Sequence, residues 1–211
     1  MLKKAPKQAR SEQMVDCILD GATRVLNTVP LAQATTNRIA EVAGVSVGSL
    51  YQYFDSKQAI ALALLDRHLD GTVALLQNAR IASRGSRVES RLRTPVVDIL
   101  HEHCSDRTLH LNLITLAKAE APSGRLQGHV DRMIDEIALV LEEERPEADK
   151  DEVRLSATMR HHNSMLLIHA AVINPGVYRD DVVLDHYNAL SAANLKALGG
   201  SAARKRARAW G

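Results

Sequence analysis

The stretch Gly44-Val-Ser-Val-Gly-Ser-Leu-Tyr-Gln-Tyr-Phe54 gathers two serines, a glutamine and three rings into eleven positions, and the chain as a whole is only 3% aromatic. It holds the only Phe and two of the four Tyr. Hydroxyl and amide groups in this density suit contact with a polar surface. No histidine or carboxylate stands among them to activate a nucleophile. Bond-making chemistry has little support elsewhere. The nine histidines are His68, His101, His103, His110, His129, His161, His162, His169 and His186. No H-E-x-x-H occurs, and no Glu stands three residues before a His, so the patterns of zinc hydrolase and di-iron helices are missing. His101-Glu102-His103-Cys104 is dense, but on a helix positions 101 and 103 diverge by about 200°. His162 and His169, two turns apart, would share a face and could line a cavity together. Cys17 and Cys104 stand alone, without zinc or disulfide spacing. Nucleophile elbow, phosphate loop and dinucleotide fingerprint are all absent. We expect no catalytic site, no metal and no cofactor.

The elements that would position these groups read as helical. Leu and Ala are abundant and aromatics scarce, which favours helix over pleated surface. Apolar residues recur at three and four over about 10–27, 56–77, 106–119, 123–144, 149–173 and 180–197. Thr94-Pro95 either starts a helix at Val96–His103 or lies within a longer one. Gly and Pro clusters separate the segments. The expected fold is all-α, with about nine helices, in a chain of 211 residues that is 45% hydrophobic. No run approaches the ~18 apolar residues of a membrane span, and MLKKAPKQAR lacks a signal peptide's apolar segment. The expected location is the cytoplasm, with no membrane contact.

Charge is unevenly placed. The net charge is +2, with +2 on residues 1–57, +4 on 199–211 from Arg204, Lys205, Arg206 and Arg208, and −4 on the body between. A basic head on an acidic body suggests that one end meets a polyanion.

Within the head, residues 36–43 read as a two-turn helix capped by a threonine hydroxyl. Gly44 supplies the turn, Val45 is its inward residue, and Ser46 caps a second helix, Val47–Phe54. Two short helices around a glycine turn form a helix-turn-helix, whose second helix enters the DNA major groove. Leu50 and Phe54, four apart, should pack on Ile39 and Ala40. That leaves Val47, Gly48, Ser49, Tyr51, Gln52 and Tyr53 outward.

Thr35–Lys57, T-T-N-R-I-A-E-V-A-G-V-S-V-G-S-L-Y-Q-Y-F-D-S-K, resembles the signature of the TetR family of transcriptional regulators. The resemblance covers about residues 10–70, including Ile18-Leu19-Asp20-Gly21-Ala22 in the first helix. Asn27–Ala34 departs from it, lacking the glycine usual in that turn. The resemblance implies DNA contacts from Thr36, Asn37, Ser46, Val47, Gly48, Ser49, Tyr51, Tyr53 and Lys57. Val47, Gly48 and Ser49 would face base edges, while Thr36, Ser46, Tyr53 and Lys57 would hold phosphates. It implies a helix-turn-helix domain over 1–55 and a helical regulatory, ligand-binding and dimerisation domain over 56–198. A flexible basic tail, 199–211, would follow. The implied protein is a repressor that binds a palindromic operator on double-stranded DNA as a homodimer and is released by an unknown small-molecule effector.

In the body, apolar walls with interspersed polar groups point to an effector pocket made by His110, Leu113, Met133, Ile137, His162, Met165, Leu166 and His169. The stripe Val183, Tyr187, Leu190, Asn194 and Ala197, with Met165, Leu166, Ile168, Ala171 and Val172, would serve dimerisation or the monomer's own core. Two other readings remain: a DNA-binding regulator controlled by a protein partner, and a helical metal-dependent enzyme.

Overall fold

The computed structural model describes residues 9–177 and 179–209, with side chains described for 11–177 and 179–198. Nine α-helices follow one another among the described residues, with no strand. They are α1 (Ala9–Leu26), α2 (Thr36–Ala43), α3 (Val47–Tyr53), α4 (Lys57–Ala82), α5 (Val88–Ser105), α6 (Arg107–Glu120), α7 (Gln127–Glu144), α8 (Lys150–Ile173) and α9 (Asp180–Ala209), with a 3-10 turn at Ala121–Ser123. None is long and apolar enough to cross a membrane among the described residues.

Local chemistry explains most boundaries. The Asp149 carboxylate caps α8 by accepting from the backbone N–H of Asp151 at 3.1 Å and of Glu152 at 3.4 Å. Gly85, in the turn between α4 and α5, has φ 81°, the left-handed conformation that glycine adopts without strain. At Thr94-Pro95 the longer helix prevails, because Pro95 is buried within α5 and its ring packs where a helix start would be solvated. Proline cannot donate to the Arg91 carbonyl, so this turn forgoes one ladder bond. Beyond residue 197, where the apolar stripe ends, α9 continues to Ala209. The side chains of the expected basic tail, and Lys3, Lys4 and Lys7, lie outside the described residues.

The chain forms two compact units. One comprises residues up to Asp70 together with Asp106–Arg125, the other Gly71–Ser105 together with residues from Leu126 onward. This differs from a single boundary at residue 55: α6 joins the head, and α4 gives residues to both units. The reason lies in α6. Asn112 Nδ2 donates to the carbonyls of Leu26 at 2.8 Å and Val29 at 3.0 Å, and its Oδ1 accepts from Leu31 N–H at 2.8 Å. Asn27 Nδ2 donates to Asp106 Oδ1 at 2.6 Å. These bonds take up backbone groups of the α1–α2 connection that have no helical partner. In the same unit, Arg67 of α4 reaches Asp20 of α1 at 2.8 Å, and Arg125 reaches Asp66 at 2.6 Å.

In the second unit α8 packs on α5, α7 and α9. Its core holds Val88, Leu92, Ile134, Ala138, Val140, Leu141, Val153, Ala157, Leu195 and Leu198. The Tyr187 hydroxyl donates to the Leu92 carbonyl at 2.8 Å, tying α9 to α5.

Candidate functional site

The first unit builds its exposed reader from capped short helices. The Thr35 hydroxyl, one residue before α2, accepts from Arg38 N–H at 3.1 Å. Gly44 ends α2 at φ 70° and ψ 28°, and its N–H goes back to Ala40 and Glu41 carbonyls. Ser46 Oγ accepts from Ser49 N–H at 2.9 Å and lies 2.8 Å from Ser49 Oγ. Helices this short are marginal alone, so the caps and the buried pair Leu50 and Phe54 hold α3 in place. Leu50, Phe54, Ile39 and Ala40 are all buried, as their spacing requires.

The opposite face is open. Asn37, Ser46, Val47, Gly48 and Tyr51 are exposed, and Thr36, Ser49 and Tyr53 half-buried. The Tyr51 hydroxyl sits 3.0 Å from Thr36 Oγ1, which orients both groups before any ligand arrives. A methyl at Gly48 would meet only Ser46 Oγ, at 3.8 Å. The fold therefore leaves this position free, and a glycine there keeps the outer surface low. Gly21 is the reverse case. A Cβ there would lie 2.6 Å from the Ala43 Cβ and 2.8 Å from its nitrogen, so α1 and α2 touch where only hydrogen fits.

Lys57 has a role that spacing did not show. Its ammonium donates to the Ala32 carbonyl at 2.8 Å and the Ala34 carbonyl at 2.9 Å. It pins the α1–α2 connection and retains one N–H for an anion.

The second unit contains a cavity of about 30 Å³ lined from α4, α5, α7, α8 and α9. Of the eight expected effector residues, Met133, Ile137 and Met165 line it. The other five do not. His110 and Leu113 are buried in the first unit, with His110 Nδ1 3.1 Å from the Asp106 carbonyl and its ring edge-on to His68 at 4.9 Å. His162 and Leu166 face solvent, the latter 70% exposed, and His169 is only half-buried. The phase of α8 accounts for this. Its inward side runs through Val153, Ala157, Arg160, His161, Ser164 and Ile168, and residues 162 and 166 fall about 100–200° away. The same phase buries Ile168, Ala171 and Val172, and Val183 and Tyr187 of α9, within the unit itself. Of the expected dimerisation stripe, Leu166, Leu190 and Ala197 remain exposed.

The cavity's polar groups are largely ones that sequence reasoning missed. Arg80 pairs with Glu136 at 2.7 Å and Glu143 at 3.5 Å, and Arg91 pairs with Glu143. Arg91 holds the Glu143 carboxyl below its ordinary range, chiefly by hydrogen bonding. Arg160, His161 and Ser164 come from the inner face of α8. Burial pushes His161 down to about 4, with the His162 and His169 rings adding to the effect. The signal for Arg160 was present in the pattern: an arginine three residues after an inward Ala157 and four before an inward Ser164 sits on the apolar stripe.

Comparison with known proteins fits this geometry. Residues 18–64 match the profile of the bacterial regulatory proteins, tetR family. An uncharacterised HTH-type transcriptional regulator of Mycobacterium tuberculosis is 41% identical over 58 residues, 28% of this chain and 29% of that protein. The shared stretch is thus under a third of the relative's length. The structure resembles that of FadR, a fatty acid degradation regulator from Bacillus halodurans, with TM-score 0.62, 22% identity and coverage of 92% of this chain and 96% of that one. It also resembles SmeT, the repressor of a Stenotrophomonas maltophilia multidrug efflux pump, with TM-score 0.63, 20% identity and coverage of 87% and 89%. At these identities the structures speak to fold. These proteins are regulators. The N-terminal segment, a capped helix-turn-helix whose outer face is open, is thus similar to the DNA-binding domain of the tetR-family regulators, and the body shares its fold with solved transcriptional regulators.

Proposed function

We propose that this protein is a cytoplasmic repressor that binds a palindromic operator as a homodimer and releases it when a small organic effector enters the cavity of the second unit. The observation that carries the DNA reading is the outer face of α3. Hydroxyls of Ser46, Ser49 and Tyr51, the Val47 methyls and a bare Gly48 stand on a helix that is rigidly capped and backed by core. The Val47 methyls and the Ser49 hydroxyl would meet base edges beside Gly48; Thr36, Ser46, Tyr53 and the spare Lys57 hydrogen would hold phosphates, and Tyr51 could do either. SmeT, which shares the fold, is a repressor, and this supports the sign of regulation.

Dimerisation is supported by an apolar row on α8. Leu155, Met159, Leu166 and Ile173 are exposed at spacings of four and seven residues, and Leu190 is exposed on α9. Such a row is what a second copy of the chain would cover. Release follows if the effector binds better to one arrangement of α4, which contributes residues to both units.

Fluorescence anisotropy with the promoter DNA beside the protein's own gene tests the reading. The expected result is salt-dependent binding of two chains per operator, lost on addition of one compound from a metabolite screen. Failure of any promoter fragment to compete better than random DNA would overturn it.

A further inference from the structure

Three arginines line the cavity of the second unit, and they differ in what neutralises them. Arg80 and Arg91 have Glu136 and Glu143. Arg160, only 2% exposed, has no carboxylate partner among the described residues. Its Nη1 donates to the Ser191 hydroxyl and its Nη2 to the Ser191 carbonyl at 2.6 Å, both neutral acceptors. Its Nε is buried without any hydrogen-bond partner. Glu89 acts on it only at a distance and is itself exposed.

A guanidinium taken out of water without a counter-charge is costly. Arginine cannot escape by losing its proton, as a buried lysine does. A full positive charge therefore faces the cavity, and the Nε–H with a remaining Nη hydrogen forms the edge that a planar carboxylate accepts through two oxygens. Only one such charge is available. Arg80 and Arg91 are already compensated, and His161, pushed down to about 4, is neutral near pH 7. A single cation favours a monoanion over a phosphate. The remaining walls, Leu92, Val96, Ile99 and Ile137 with Met133 and Met165, are unbranched or branched aliphatic surface. Besides the His161 imidazole, the aromatic ring in the lining is that of Tyr187, whose hydroxyl is bonded to Leu92 and is a further neutral partner of Arg160.

We propose that the effector is an aliphatic monocarboxylic acid, its carboxylate paired with Arg160 and its chain lying between α5 and α7. This rests on the effector reading above and names the chemical class that it leaves open. The free space of about 30 Å³ holds no more than a few waters. The acid must part the walls to enter, and the two methionines are the side chains most able to yield. The ligand-free arrangement is then the closed one, and an acid that binds only an opened form shifts the balance between them.

The test uses the full-length dimer, with thermal shift and operator release read against matched octanoate, octanol and octylamine, and the corresponding decyl series. At least one acid should raise the melting temperature and release operator, with its alcohol and amine at least tenfold weaker. Arg160→Met should weaken the acid by about 100-fold, the scale expected for an unpaired buried charge partner. It should leave operator affinity without ligand within about threefold, because Arg160 lies outside the reader. Arg160→Lys, which keeps the charge but not the fork, should give an intermediate loss and guards against a misfolded methionine variant. Alcohols or amines acting as well as acids, or undiminished acid binding by a folded Arg160→Met protein, would overturn the proposal and leave a small-molecule effector of another class. No response to any of these compounds, with operator binding intact, would overturn the proposal, and silence across the metabolite screen as well would remove the effector reading.

Discussion

Gly21 and Gly48 stand in the same domain for opposite reasons, and single alanines separate them. At Gly21 the added methyl has no room against Ala43, so Gly21→Ala should destabilise the domain by about 1–3 kcal/mol in chemical denaturation. At Gly48 there is room, and alanine is the better helix former by up to about 1 kcal/mol. Gly48→Ala should therefore leave stability equal or higher while reducing operator affinity; unchanged affinity would mean that DNA does not approach this backbone. Lys57 combines both kinds of role. Its bonds to Ala32 and Ala34 carbonyls mean that Lys57→Ala should lower stability, by about 1 kcal/mol for a partly exposed charged donor. The same variant should reduce the slope of log affinity against log salt by roughly one unit if the third N–H holds a phosphate. A stability loss with an unaltered slope would assign Lys57 to the loop alone.

At the scale of elements, α8 carries the protein's clearest pH dependence. His161 titrates near 6.5 in an unfolded chain and is pushed down to about 4 by burial in the fold. Between those values the unfolded chain binds a proton that the folded one does not, so stability falls as pH drops through the window. The full effect is on the order of 3 kcal/mol. Burial also lowers His110, in α6, and adds loss of the same sign. Denaturation midpoints from pH 7 to pH 4 should decline, and His161→Gln should flatten the decline; a parallel curve for the variant would contradict the buried neutral imidazole. The link between α6 and the α1–α2 connection depends on one side chain. Asn112→Ala strands the Leu26 and Val29 carbonyls and the Leu31 N–H. It should cost about 1–3 kcal/mol and raise proteolytic cleavage within residues 27–35.

For the whole molecule, the exposed row on α8 predicts a two-chain assembly, with readers about 34 Å or one DNA turn apart, or slightly more. Leu166→Glu places a charge at a residue 70% exposed in the single chain. Monomer folding should be unaffected, since surface changes are usually within about 0.5 kcal/mol. The dimer should instead dissociate in sedimentation at micromolar concentration, and operator affinity should fall with it. A Leu166→Glu protein that remained dimeric would move the interface elsewhere.

Local chemistry was legible in the chain alone. Helical periodicity and punctuation marked most helices to within a few residues, although α5 starts at Val88 and α9 runs on to Ala209, and Gly44, Ser46, Leu50 and Phe54 declared a helix-turn-helix because caps, turns and i, i+4 packing depend on neighbours a few residues away. Thr94-Pro95 was ambiguous, since propensity is evenly poised there and burial of the proline ring decided for the longer helix. The lining of the second unit's cavity was the least legible. Met133, Ile137 and Met165 were found by being apolar, whereas His162 and Leu166 were assigned to a face that α8 turns to solvent. A stripe of mixed residues fixes a helix's period but not its rotation against several neighbours. That phase is set by the sum of contacts with α5, α7 and α9, which are distant in sequence. The same packing determined that Arg80 and Arg91 meet carboxylates while Arg160 is sealed in with neutral Ser191. Charge pairing across helices depends on which side chains converge in space, and only the tertiary structure brings them together.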